Sequence, residues 1–396
     1  MIDNSVARVL IAPDSFKGSA MSTEIAEWIA QGWRQVRAND LIVIKPMADG
    51  GEGTLLAIEA SRSDTTRITQ SVMGPDNRSH NAFWLLTDDG IAIVELASIC
   101  GITLQEELDP IAAHTYGLGQ VLYDIARDSE IGAVLVALGG SASTDGGTGA
   151  LRALGYRFKK RDGSDIAIGA SELTEIVEIE REHASSTPPG PVIYLVDVVN
   201  PLLGDAGAAR TFAPQKGASP EVVEVLEQGL AHFQLQCGVA DAPGAGAAGG
   251  VAYGLSALWG GELRSGARTI AAITKVVEEI ESADVVITGE GNLDGQSFSG
   301  KVVGTLAELV RSKNERLSAG DVKGQPVTRL GIVAGGVDNA AVTSSQALLT
   351  AAAHFATIAL EDIAGSRQVA MEQVRDYAIA AGGNLAEQYQ FARVEG

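Results

Sequence analysis

The chain has 396 residues, 45% of them hydrophobic and 20% charged, a globular balance that excludes global disorder. Its 29 Lys and Arg against 50 Asp and Glu give a formal net charge of −21. With no long basic cluster to reverse that field, a nucleic-acid or anionic-membrane surface is excluded. Two cysteines, Cys100 and Cys237, exclude a disulfide scaffold and point to a reducing, cytoplasmic setting. No signal peptide is expected from MIDNSVARVL, nor a membrane span from any apolar run.

Residues 8–13 (RVLIAP) predict a buried strand. Ile25, Trp28, Ile29, Trp33 and Val36 then recur at helical spacing, with Ser22 as the N-cap. A second buried strand at 41–46 and a helix from about 50 to 60 are expected next, the opening of a parallel α/β sheet. Near residue 66 the rhythm changes. Strands at 67–73, 80–87 and 91–97, joined by MGPDNRS and TDDG, predict a meander. A helix near 115–127, a strand at 133–138 and a helix from about 146 restore the βα order. Residues 157–182 are polar and mixed, and TPPGP at 187–191 is a break. Beyond it come a strand at 192–197, a helix at 220–236 and a Gly/Ala-rich stretch at 241–261. A helix at 270–281 then leads to strands at 284–288, 329–334 and 354–360.

The predicted fold class is α/β with two domains. One is a Rossmann- or flavodoxin-like parallel sheet built from both chain ends, residues 1–66 plus 284–396. The other is a mixed α/β domain inserted at 67–283. A cleft between two such domains is where a small-molecule site is expected.

The 47 glycines cluster in short loops after apolar runs, where backbone can approach a phosphate closely. Asp14, Ser15 and Lys17 follow the first strand: a Lys there can carry a phosphate or carboxylate, and a helix cap with a solvated Lys explains the segment equally. Asp49 and Glu52 stand in DGGEGT, echoed by DGGTGA at 145–150. That spacing also fits a capping box, but capping needs no three glycines. Gly139, Gly140, Ser141, Ser143, Thr144, Asp145, Gly146 and Gly147 follow the strand AVLVAL and form the strongest phosphate-loop candidate. Gln296, Ser297 and Lys301 lie in GQSFSGK, which resembles a P-loop from Gly295 but continues with Val302, so a true Walker A is rejected. Asp197 ends a strand and can hold Mg²⁺, as can Asp294; Asn200-Pro201 is equally an ordinary turn signal. Gly244, Gly246 and Gly249 match a dinucleotide fingerprint without the strand it requires, which favours close backbone packing or a loop against a ligand. His80, His114, His183, His232 and His354 show no metal spacing.

Bottom-up, these loops suit phosphate and Mg²⁺ chemistry without naming an acceptor. Taken in order, IAPDSFKGS at 11–19, MADGGEGT at 47–54, LGGSASTDGG at 138–147, DVVNPL at 197–202 with PQKGA at 214–218, GAGAAGG at 244–250 and TGEGNLDGQSFSGK at 288–301 resemble the bacterial type I glycerate kinase family. Thr144 departs from the pattern, where Asn is expected. The resemblance implies ATP- and Mg²⁺-dependent phosphorylation of D-glycerate, most often at the 2-hydroxyl, by a monomer or homodimer whose partners are D-glycerate and ATP. On that footing the Gly139–Gly147 loop, Gln296, Ser297 and Lys301 are assigned to nucleotide. Asp14, Ser15, Lys17, Asp49 and Glu52 are assigned to substrate. Lys17, Lys301, Asp197 and Asp294 are assigned to catalysis, the two aspartates also to metal. Three alternatives stay open: a 3-phosphoglycerate product or another small hydroxy acid, a non-catalytic phosphometabolite-binding protein, and a hydrolase with Ser141 or Ser143 as nucleophile.

Overall fold

The computed structural model describes residues 5–182, 186–319 and 326–392; His183 lies outside them. The chain forms two compact units. The first comprises Met1–Asp49, Leu56–Ser63 and Ala267–Gly396, the second Gly50–Leu55 and Asp64–Gly266.

The first unit is built on five parallel strands in the order His354–Ala359, Arg329–Val337, Val285–Leu293, Arg8–Ile11, Leu41–Ile44. Counted along the chain this is the flavodoxin-like order 2-1-3-4-5, whose direction reverses between the first and third strands. Those two strands are apolar runs, and Val9, Leu10, Ile11, Val285, Val286 and Ile287 are all buried, as a parallel sheet covered on both faces requires. Helix Ser22–Val36 lays Ile25, Ile29 and Trp33 in the same core as Ala378, Leu385 and Tyr389 of helix Val374–Ala392. Its N-cap is Met21, not Ser22. Glu24 reaches back to accept from the Met21 N–H at 3.0 Å, so the cap comes from N3 rather than from a side chain at the cap.

Two elements differ from expectation for local reasons. The strand expected to end at 288 runs on to Leu293, through GEGNL. A Cβ at Gly289 would sit 2.1 Å from the Val333 carbonyl oxygen, so that glycine permits close strand approach rather than a loop. The helix expected at 270–281 is two helices, Gly266–Ile273 and Val276–Ser282, split at Lys275, whose φ is +62°.

The second unit carries a six-stranded mixed sheet in the order Glu262–Ser265, Val192–Val196, Ala133–Ala137, Ile91–Glu95, Ser79–Thr87, Thr65–Met73. The last three form the expected meander, and the first four are parallel. Within the stretch read as polar and mixed, Tyr156–Lys159 and Glu178–Arg181 pair as a hairpin. Gly246 and Gly249 serve close backbone packing: their Cβ atoms would each fall 2.2 Å from a carbonyl oxygen, of Pro201 and Ser143 respectively. Among the described residues no helix is long and apolar enough to cross a membrane.

Candidate active site

At the reversal point of the first unit's sheet the chain leaves two adjacent strands and opens a pocket of about 180 Å³. Backbone bonds carry the pairing past the strand end: the Ala12 N–H donates to the Ile287 carbonyl and the Asp14 N–H to the Gly289 carbonyl, both at 2.8 Å. This registers Asp14 beside Glu290. Of the residues singled out from sequence, Asp14, Ser15, Lys17, Asp49, Asp294 and Lys301 line this one pocket. Glu290, Asn292 and Arg367 join them, over an apolar side formed by Phe16, Leu360, Met371 and Val374.

The pocket holds buried carboxylates against cations. Asp14, Asp49 and Glu290 are all buried. Burial, then the neighbouring Asp49 charge, pushes the Asp14 carboxyl well above its usual value; the Ser15 N–H and Lys17 pull it back, and Glu290 adds to the rise. Burial pushes Glu290 up to about 7, with Ser297 and Lys301 opposing and Asp294 and Asp49 adding. Its Oε1 is buried and without a hydrogen-bond partner. At Asp294 burial is outweighed: the Gln296 N–H at 2.9 Å, the Asn292 amide at 3.0 Å and Lys301 hold the carboxyl below its ordinary value, so it stays ionised. Ser297 is a pin of this loop, its buried hydroxyl accepting from the Asp294 N–H at 2.8 Å, while Gln296 is exposed; neither lines the pocket.

The remaining candidates belong to the second unit. Glu52 is exposed in the turn before helix Thr54–Ser61. Because that helix starts at Thr54, the Asp49–Glu52 capping box is not made. Asp197 is half-buried just past Val192–Val196. The loop 139–147 is held firmly by its own chain. The Gly139 N–H donates to the Gly50 carbonyl at 3.0 Å, the Ala142 N–H to the Cys100 carbonyl at 3.0 Å, and the Gly146 N–H to the Gly249 carbonyl at 3.1 Å. Asp145 is fully buried, and its carboxylate accepts from the Thr115 N–H (3.0 Å), the Thr115 hydroxyl (2.8 Å), the Gly147 N–H (3.0 Å) and the Gly149 N–H (3.2 Å). It therefore shapes the loop. Lys216 donates to the Ser141 hydroxyl at 2.8 Å and to the Ser143 carbonyl.

Three residues were missed at the sequence level. Glu290 and Lys216 stood inside quoted motifs, and a charged residue at the end of a buried strand was the signal for Glu290. Arg367 stood in GSRQ at 365–368, a looser match to the family pattern, and was given no role there.

Glu95 is a further buried carboxylate of the second unit, at the end of Ile91–Glu95. It accepts from the Leu55 N–H at 3.1 Å and from the N–H groups of Gly53 and Thr54, tying down the DGGEGT turn. Burial pushes it up to about 7, those N–H groups oppose, and Glu52 adds. A carboxyl raised in the folded state favours folding most when protonated, so stability falls as pH rises from the usual carboxylate range toward 7. Glu95→Gln mimics the protonated form and is expected to flatten that fall. Melting curves between about pH 5 and 8 check this; an unchanged slope in the variant contradicts it.

A family profile described as "Glycerate kinase family" matches residues 9–377. The "Glycerate 2-kinase" of Escherichia coli (strain K12) is 37% identical over 314 residues, 77% of this chain and 82% of that protein. The "Glycerate kinase" of Haemophilus influenzae is 36% identical over 322 residues, 79% of this chain and 85% of that protein. Among solved structures, the "putative glycerate kinase 2 from Salmonella typhimurium LT2" aligns with a TM-score of 0.76 at 28% identity, covering 98% of this chain and 100% of that one.

Proposed function

Because the chain belongs to the glycerate kinase family, we propose that it transfers the terminal phosphoryl group of ATP to the 2-hydroxyl of D-glycerate, with Mg²⁺, yielding 2-phosphoglycerate and ADP. The observation that carries the reading is the first-unit pocket, where buried carboxylates face Lys17, Lys301 and Arg367. At about 180 Å³ it lies below the ~300–1,000 Å³ of pockets that enclose drug-sized ligands, which suits a three-carbon acid. Arg367 and Lys17 are the groups to bind its carboxylate, and Lys301 the one to meet the transferring phosphoryl group. Asp14, made more basic by burial and by Asp49, is suited to take the hydroxyl proton as the oxygen–phosphorus bond forms.

The residues also fit a divalent cation. Among the described residues no three His, Cys, Asp or Glu are arranged to hold a metal, but Mg²⁺ in phosphoryl transfer usually takes one or two carboxylates and keeps its waters. Ionised Asp294 and the unpartnered Glu290 Oε1 are such ligands in this pocket, and Asp197 is the candidate of the second unit. Bound Mg²⁺ supplies neutralisation of phosphate charge. In the second unit the Gly139–Gly147 loop, with its buried unpartnered Ser143 and Thr144 hydroxyls, fits the nucleotide phosphates. Two unpaired cysteines and dependence on ATP support a cytoplasmic setting.

The test is a coupled ADP-release assay with Mg-ATP and D-glycerate, followed by phosphorus NMR of the product. Glycerate-dependent ADP release and the 2-phosphoglycerate resonance are expected. A 3-phosphoglycerate resonance would overturn the regiochemistry. ADP binding without release on any small hydroxy acid would make the protein a binder. The Ser141–Lys216 contact at 2.8 Å favours one other reading, a hydrolase, since a serine beside a lysine can act as nucleophile and base; covalent labelling of Ser141 by a serine-directed reagent would establish it.

A further inference from the structure

Lys216 has no part in the reaction as described, yet its surroundings are incomplete in a particular way. Its side chain is buried, 3% exposed, and its ammonium donates to the Ser141 hydroxyl at 2.8 Å and to the Ser143 carbonyl. The carboxylate whose charge it feels is Asp145, and that group is already occupied by Thr115, Gly147 and Gly149. On the loop that accepts from Lys216, the Ser143 Oγ and Thr144 Oγ1, on side chains that are fully buried, have no hydrogen-bond partner. Buried hydroxyls are ordinarily paired, and a buried cation ordinarily has a counter-charge. Two idle hydroxyls on the 139–147 loop, and the Lys216 ammonium that reaches this loop from the turn Pro214–Lys216, lack one kind of partner: an anion with several acceptor oxygens. A phosphate group has that chemistry.

We infer that Lys216, together with Ser143 and Thr144, is the anion-recognition centre of the Gly139–Gly147 loop and takes a phosphate group of the nucleotide. The inference rests on the kinase reading above and assigns the second unit's cation within it. Burial pushes Lys216 down to about 7 against the pull of Asp145. The other titratable groups that sense Asp145, His114 and Cys100, are held neutral by burial, so of these three it is Lys216, bonded to this loop from the turn Pro214–Lys216, that titrates near neutrality. Above pH 7 it is mostly neutral when the site is empty, and an arriving phosphate draws a proton onto it.

The test is isothermal titration of the full chain with ADP at about pH 8 in two buffers of different ionisation enthalpy, with D-glycerate as a second titrant. Wild-type protein is expected to take up a proton on binding ADP. Lys216→Met should bind ADP roughly 10- to 100-fold more weakly, lose the proton uptake, and keep its glycerate affinity. Equal ADP affinity in Lys216→Met overturns the inference while leaving the kinase reading intact. Loss of glycerate binding instead of ADP binding overturns the phosphate assignment in favour of a carboxylate. If Lys216→Met does not fold, proton uptake by the wild type and weakened ADP binding in Thr144→Val decide the matter, and the absence of both overturns it. A wild-type protein that neither binds nor releases ADP removes the kinase reading itself, and this inference with it.

Discussion

Lys301→Ala is expected to lower turnover by roughly 10²–10³-fold while leaving the melting temperature close to wild type. The side chain lines the first-unit pocket and acts on both Glu290 and Asp294. In the reading proposed here it meets negative charge that grows on the phosphoryl group during transfer. A donor aimed at such charge supplies its stabilisation in the transition state, so its loss falls on kcat more than on KM. Stability should be spared because Lys301 precedes helix Val302–Ser318 without making a side-chain cap, and its side chain is only partly buried. Asp294→Asn is the companion variant. The amide keeps an acceptor for the Gln296 N–H but carries no charge for a cation, so turnover should fall with the loop intact. Steady-state kinetics and melting curves on both variants check the pair. Near-wild-type turnover in both would dismiss the pocket as the catalytic centre.

Gly249→Ala is expected to damage the second unit itself, by about 2–5 kcal/mol. Gly249 has φ +68°, a conformation that costs an L-residue roughly 1–2 kcal/mol. Its new Cβ would also lie 2.2 Å from the Ser143 carbonyl oxygen and 2.6 Å from the Thr144 Cα, an overlap typically worth ~1–3 kcal/mol. At ~2–4 °C per kcal/mol, the midpoint should drop on the order of 10 °C. Gly163→Ala separates the two causes: Gly163 has φ +82° and nothing within 4 Å of the added carbon, so only the conformational cost applies. Equal melting shifts in the two variants would show that the packing against the 143–144 backbone contributes nothing.

Much of this was legible from residue patterns. Apolar runs at 8–13 and 133–138 announced strands because a parallel sheet hides both faces, and the alternating stretches at 67–97 announced the meander; the run at 41–46, expected to be buried in the same way, is an edge strand whose Leu41 is exposed. The acidic and basic residues beyond strand ends, Asp14 and Lys17 after 8–13 and Lys301 after 284–288, were found because strand ends open onto the ligand side of such sheets. What escaped notice depended on non-local partners. The glycine of GEGNL reads as a loop former until the Val333 carbonyl is placed against it. Lys216 stood in PQKGA without a role of its own, because only its burial against Ser141 and Ser143 sets it apart. Arg367 reaches the pocket from a late helix, and no spacing ties it to residues 14–17.

The strand order of the first unit has a consequence for biosynthesis. The Arg8 N–H bonds the Asp284 carboxylate across 276 residues, and the first strand's inner neighbour is Val285–Leu293. During translation the opening two strands therefore leave the ribosome long before their sheet can close. Residues 64–266, contiguous in the chain, have every strand of their own sheet in hand by then. Assembly is thus expected to follow the message: the unit of residues 64–266 can close its sheet first, while the two amino-terminal strands wait with one edge open for Val285–Leu293.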